Sequence, residues 1–318
     1  MYKKITIIIV IILGLALAAV FASRSKVNNF VPKSAKISVT ASFYPLAYFA
    51  EQVGGDRVSI QSITPNGTEP HDFEPTPQDI ITLRSSRVFF YNGNGVDAWA
   101  DRVQPELIVG GVKVVAVSDA VSLMPTPVEQ MVDDEREDKR IFNQFDPHIW
   151  LDPIRARQIA ELIRDTLIVV DPSGADYYRG QFSDLSGRLT ALDTDYTKSL
   201  ASCATRDVIV SHYAFNYVAE RYNLKLYAIA GMSPEAEPSA KHLAELTRLV
   251  KEKNITTIFF ETLVSPRLAE TLAKETGAVT NVLNPIEGLT SEDLSAGKNY
   301  ETIMRDNLSA LTTAMLCQ

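Results

Sequence analysis

The chain has 318 residues, 46% of them hydrophobic and 22% charged, with 39 acidic against 31 basic residues and a net charge of −8. That length allows one large domain or two of about 150 residues. An acidic chain without a basic stripe excludes nucleic acid as a natural partner, and its charge does not oppose an approaching cation.

The N-terminus opens M-Y-K-K, runs apolar from Ile5 to Ala22, and turns polar at S-R-S-K. A basic start followed by an apolar run reads as an export signal, with Val20-Phe21-Ala22 an acceptable cleavage site. Left uncleaved, the run is long enough to span a bilayer. Residues 1–22 are therefore expected to be a signal peptide or membrane anchor and 23–35 a linker. The folded bulk is expected outside the cytoplasm, periplasmic or at the cell surface, secreted or anchored. No cysteine follows the run, so a lipid-modified one is not expected there. Cys203 and Cys317 are the two cysteines. In an exported chain such a pair is more often a disulfide than a metal site; two buried free thiols are the alternative.

From residue 36 strands and helices alternate, which predicts an α/β fold with mainly parallel sheets. K-I-S-V-T-A-S, R-V-S-I-Q-S-I, R-V-F-F-Y-N and V-K-V-V-A-V-S read as strands. Y-P-L-A-Y-F-A-E-Q-V-G-G, T-P-Q-D-I-I-T-L-R-S-S and V-D-A-W-A-D-R-V read as the helices between them, the second with Thr76 as N-cap and Pro77 in its first turn. Residues 120–145, with V-E-Q-M-V-D-D-E-R-E-D-K-R, break the rhythm and read as a charged surface excursion. A helix is expected over about 154–170. Tyr178, Phe182, Leu185, Leu189 and Leu192 then recur at three-four spacing, predicting a helix over about 174–202, ~40 Å long at ~1.5 Å per residue. The rhythm restarts with D-V-I-V-S, L-K-L-Y-A-I-A, T-T-I-F-F-E and V-T-N-V-L as strands. Helices are expected between them and at the end, the one before V-T-N-V-L closed by Gly277. The expected organisation is an N-terminal lobe over 36–172, a linking helix over 173–202 and a C-terminal lobe over 203–318.

The chain has four histidines. His71 lies in T-E-P-H-D-F-E-P-T-P, too rich in proline for a helix or central strand. His148 lies in D-P-H-I-W-L-D-P, and His212 directly follows the strand D-V-I-V-S. Carboxyl ends of parallel strands are where α/β proteins bind ligands, and neutral imidazole is the commonest side-chain ligand for zinc. His242, inside S-A-K-H-L-A-E-L, reads as an exposed helical residue. A fourth ligand is expected from N-P-I-E-G-L-T, whose carboxylate is Glu287, with Glu69 or a water as the alternatives. Three nitrogens and one oxygen suit a tetrahedral Zn²⁺ site. Pro70 and Pro147 each precede a ligand and stiffen the backbone that aims it. Glu69, Asp72, Asp146 and Asp152 are candidates to hydrogen-bond the far imidazole nitrogens, and Glu235 and Glu237 to cap the following helix.

Two enzyme readings compete. Gly93, Gly95 and Ala98 in Y-N-G-N-G-V-D-A, with Asp119 about twenty residues on, match a dinucleotide-binding pattern. The strand is not the first of its sheet, however, and export gives little access to NAD, so a glycine turn is expected. An exported zinc-dependent hydrolase would keep three protein ligands and an open water position, but H-E-x-x-H is absent.

Taken together, T-E-P-H-D-F-E-P-T-P, D-P-H-I-W-L-D-P, S-H-Y-A-F-N-Y, M-S-P-E-A-E-P-S and N-P-I-E-G-L-T resemble the cluster A-I (cluster 9) solute-binding proteins of zinc and manganese ABC importers, from about Lys36 to Cys317. The resemblance implies two lobes joined by one long rigid helix, an ion held between them, a membrane permease as partner, a monomer, and no catalytic residues. It places the metal ligands at His71, His148, His212 and Glu287. Manganese members resemble two histidines with two carboxylates, so His212 favours Zn²⁺ over Mn²⁺. The chain departs from many zinc members in having no histidine over 125–147, and from many Gram-positive members in lacking a lipobox cysteine.

Overall fold

The computed structural model describes residues 36–126 and 145–318. The expected signal segment, the linker and most of the charged excursion lie outside them. No helix among the described residues is long and apolar enough to cross a membrane. Residues 36–318 belong to a single compact unit.

Two four-stranded parallel sheets carry the architecture. The first contains β1 (Ile37–Ala41), β2 (Val58–Ser62), β3 (Val88–Tyr91) and β4 (Lys113–Ala116) in the order β2-β1-β3-β4. The second contains β5 (Asp207–Val210), β6 (Lys225–Ala228), β7 (Thr257–Phe260) and β8 (Val279–Val282) in the order β6-β5-β7-β8. The winding is the same in both, a repeat at the scale of a lobe. Each order reverses between its two central strands, and at such a switch point an α/β sheet opens a crevice at its carboxyl edge.

Alternation along the strands sorts residues into cores. In β3, Val88 and Phe90 enter a cluster spanning both lobes, whereas Phe89 and Tyr91 enter a cluster on the outer face of the first sheet with Leu83, Trp99 and Leu107. In the second sheet Val208, Val210 and Phe259 join the shared cluster, while Ile209 and Ile258 face an outer one. Both faces of each sheet are thus covered, as parallel sheets require.

In the first lobe the helices are α1 (Tyr44–Gly54), α2 (Pro77–Ser85), α3 (Trp99–Val109) and α4 (Pro153–Val170). Thr76 caps α2 in a reciprocal box with Asp79, a device worth about 1 kcal/mol. The third helix runs beyond its expected end at Val103, through Pro105 to Val109, because buried Leu107 anchors its second half. The linking helix α5 (Ala175–Ser199) buries Tyr178, Leu185, Leu189, Leu192 and Tyr196. Phe182, on the same stripe, is half-buried beneath the Arg164 guanidinium. The second lobe adds α6 (Asn216–Tyr222), α7 (Ala240–Glu252), α8 (Arg267–Thr276), α9 (Ser291–Ser295) and α10 (Tyr300–Ala314). Gly277 closes α8 with φ +79, a left-handed stop that glycine adopts without a Cβ penalty.

Two expectations are corrected in the second lobe. Ser239, not Glu235 or Glu237, caps α7, and both glutamates are exposed. His242 is half-buried, with Nε2 2.9 Å from the Ala228 carbonyl oxygen. The cysteines are a disulfide, Cys203–Cys317, which joins the segment before β5 to the chain end.

Candidate metal centre

His71 follows β2, His148 follows β4, His212 follows β5 and Glu287 follows β8. The carboxyl edges of both sheets thus supply one side chain after another to a single point. Nε2 of His148 lies 3.3 Å from Nε2 of His71 and 3.1 Å from Nε2 of His212. Glu287 Oε1 lies 3.5 Å from each of the three nitrogens. Five of the six edges of a tetrahedron of donor atoms therefore measure 3.1–3.5 Å, and all four atoms lie within 4.8 Å of one another. Zinc–nitrogen bonds of about 2.0–2.1 Å give tetrahedral edges of about 3.3–3.4 Å.

Carboxylates hold the far ring nitrogens of His148 and His212. Asp146 Oδ1 accepts from His148 Nδ1 at 2.8 Å and from the His148 backbone N–H at 2.9 Å. Glu261 Oε1 does the same for His212, at 2.7 Å from Nδ1 and 3.2 Å from the backbone nitrogen. With each proton held on Nδ1, Nε2 of a neutral ring carries a lone pair. Two such nitrogens at 3.1 Å repel unless a cation or proton lies between them. Both oxygens of Glu287 are buried without a hydrogen-bond donor, another cost that a cation removes.

The electrostatics follow from burial and this convergence. Burial disfavours charge on His212, but Glu261 and Glu287 outweigh it and move the ring well above the usual range. His148 rises for the same reason, Asp146 and Glu287 overcoming burial. In His71 burial wins and the value falls. Burial alone would raise Glu287, but the three histidines hold its carboxyl well below the usual range. Glu69 is pushed up to about 10 by burial and by the neighbouring Glu287 charge.

The other candidate residues separate cleanly. Glu69 Oε1 accepts from the His71 backbone N–H at 3.2 Å, steadying the short turn Pro70–Asp72. Asp146 is the residue on the far nitrogen of His148. Asp152 is not: it caps α4 and binds Arg155 and Arg221. Asp72 makes no hydrogen bond to any of the three histidine rings among the described contacts. Glu261 was missed, although it ends the strand T-T-I-F-F-E, where a carboxyl-edge ligand or its partner belongs. Trp150, whose Nε1 donates to the Pro285 carbonyl at 2.8 Å, ties the His148 loop to the Glu287 loop and carried no signal in the sequence.

The glycine-rich turn has its own use. Asp97 accepts from the backbone nitrogens of Asn92 and Gly93, the type of donor a dinucleotide phosphate needs. Asn92 Nδ2 donates to the Pro147 carbonyl at 2.9 Å, so the turn supports the His148 loop.

A profile of the ZnuA family, described as zinc-uptake complex component A, periplasmic, matches residues 39–314. The chain belongs to the ZnuA family. Among its relatives, the zinc-binding lipoprotein AdcA of Streptococcus pneumoniae serotype 4 is 36% identical over 309 residues, 97% of this chain and 60% of AdcA. The chain therefore spans little more than half the length of that relative. The high-affinity zinc uptake system protein ZnuA of Bacillus subtilis is 34% identical over 316 residues, 99% of both chains. The crystal structure of the Zn(II)-bound ZnuA-like domain of pneumococcal AdcA superposes with a TM-score of 0.76 at 36% identity, covering 88% of this chain and 99% of that one. The donors here sit where two α/β sheets present their carboxyl edges to each other.

Proposed function

We propose that this chain is an extracytoplasmic receptor that captures one Zn²⁺ between its lobes and delivers it to the permease of an ABC-type importer. His71, His148 and His212 supply Nε2 and Glu287 supplies Oε1. The observation that carries the reading is the convergence of four donor atoms, five of whose six separations measure 3.1–3.5 Å. The zinc-named relatives and the zinc-bound neighbour support it. Three nitrogens and one oxygen favour Zn²⁺ over Mn²⁺, which sits lower in the affinity order and prefers oxygen-rich sites. A fourth protein donor within reach of all three histidines closes the shell, as suits a carrier; catalytic zinc keeps a position open for water. The protein acts as a monomer, and residues 1–22 direct it out of the cytoplasm or hold it at the membrane.

Competition titrations with zinc and manganese test this. The parent should bind one zinc per chain and prefer it to manganese, in keeping with the affinity order. His71→Ala, His148→Ala and His212→Ala should each weaken binding by about 100-fold or more, beyond the usual loss from an outer partner. Parent-like binding in all three variants, or turnover of ester or peptide substrates by the zinc-loaded protein, would overturn the proposal.

A further inference from the structure

We infer that α6, a helix of the second lobe, positions His148 of the first lobe through Asn216, Tyr217 and Arg221, and so sets the geometry of the donor tetrahedron. The inference rests on the zinc-site reading above and extends it to residues that touch no donor atom.

The argument starts from Asp146, which is fully buried. Its Oδ1 is committed to His148, ring and backbone together. Its Oδ2 accepts from Asn216 Nδ2 at 2.8 Å. One carboxylate plane is thus fixed by His148 on one side and by the opposite lobe on the other. Tyr217 Oη donates to the Asp146 carbonyl at 2.7 Å and accepts from the Met124 N–H at 3.1 Å. Beyond His148 the same helix grips the segment again. Arg221 Nε donates to Asp152 Oδ1 at 2.6 Å and Nη2 to Oδ2 at 2.8 Å, the paired geometry that makes guanidinium–carboxylate contacts directional. Arg155 answers from the first lobe, with its guanidinium 4.4 Å over the Tyr217 ring and Nη2 3.1 Å from Glu220 Oε2.

The segment 146–152 is therefore held at both ends by one helix of seven residues, and that helix starts four residues after His212. His148 and His212 are consequently referenced to each other as well as to their own sheets. Such a device has a physical purpose. Before an ion arrives three imidazoles and a carboxylate converge on one point, and something must keep each of them aimed there. Outer partners of ligands commonly change metal affinity by about 10–100-fold, and a site loosened by about 1 Å loses its selectivity.

The test uses Asn216→Leu, which keeps the side-chain size and removes the donor. Zinc affinity is measured by competition, the visible bands of the cobalt(II) form report ligand geometry, and the metal-free unfolding midpoint reports the fold. The expected result is affinity weakened by about 10–100-fold with displaced cobalt bands. Affinity within about threefold of the parent, or weaker binding with parental cobalt bands, overturns the inference whatever the midpoint does. Tyr217→Phe, read the same way, stands in should Asn216→Leu fail to fold. His148→Ala separates the two levels: if it keeps the parental bands, the site reading itself fails, whereas its loss beside a parent-like Asn216→Leu defeats only the role of α6.

Discussion

At the scale of single residues, the centre is a contest between protons and a metal ion for the same lone pairs. His148 and His212 are raised above their ordinary range, near pKa 6.5, so in the metal-free protein they retain protons that zinc must displace. Binding at neutral pH should release protons, and apparent affinity should climb as pH rises from about 6 to about 8 through and above the ordinary imidazole value. Linkage gives the metal-free protein the opposite trend. The two raised rings stabilise the fold below about pH 6.5, and that contribution is lost as pH rises through their folded values. His71 is lowered and opposes them, losing stability as pH falls below about 6.5. Calorimetric titrations in two buffers of different ionisation heat would measure the released protons; a heat independent of buffer would contradict the scheme. Glu287 and Glu69 should part company. Glu287→Gln removes the charge that faces three nitrogens and should weaken zinc binding by about 100-fold or more, beyond the effect of an outer partner. With its carboxyl pushed up to about 10, Glu69 is already neutral near pH 7, and Glu69→Gln keeps the oxygen that accepts from His71. Its zinc affinity should stay within about threefold of the parent, where the loss of a true ligand would cost far more.

At the scale of elements, each ligand depends on what its strand and loop allow. Ile286 illustrates the cost of aiming a side chain. It is buried, β-branched and left-handed at φ +60, a conformation such residues avoid by about 1–3 kcal/mol. Asn284 Oδ1 accepts from the Ile286 N–H at 2.7 Å, and Asn307 bonds both the backbone nitrogen and the carbonyl of Asn284. These bonds hold the strained turn that delivers Glu287 to the centre. The linking helix carries a simpler prediction. Leu189 is fully buried in the core shared by both lobes, so Leu189→Ala should cost about 2–5 kcal/mol in urea unfolding while one zinc still binds per chain. A loss of zinc stoichiometry at undiminished stability would show that the helix shapes the site more directly than its packing implies.

At the scale of the whole molecule, two equally wound sheets meet around a core that neither owns alone, and the C-terminus is tied back by Cys203–Cys317 across a separation of 114 residues. Closing a loop of that length restricts the unfolded chain, and its loss typically costs about 2–5 kcal/mol. Cys317→Ser should lower unfolding stability in that range. Zinc affinity should be unchanged, because the disulfide precedes β5 whereas His212 follows its opposite end. An altered zinc affinity would show that the chain end is coupled to the centre.

Much of this was legible in one dimension because its causes are local. Strand alternation, the Thr76 cap, the Gly277 stop and the three-four stripe of α5 arise from neighbours within a few residues. So does the stiffening of the His71 and His148 loops by proline, and a ligand set of unusual side chains at strand ends can be enumerated from the chain. What folding alone decided depends on residues far apart. Glu261 reaches His212 across 49 positions, Asn216 reaches Asp146 across 70, and Trp150 reaches Pro285 across 135. Asp152 looked equivalent to Asp146 in D-P-H-I-W-L-D-P, yet two arginines claimed it. Spacing lists which carboxylates lie near a histidine along the chain. Which one meets its far nitrogen is settled by packing, since a buried charge takes the donors that the fold brings to it.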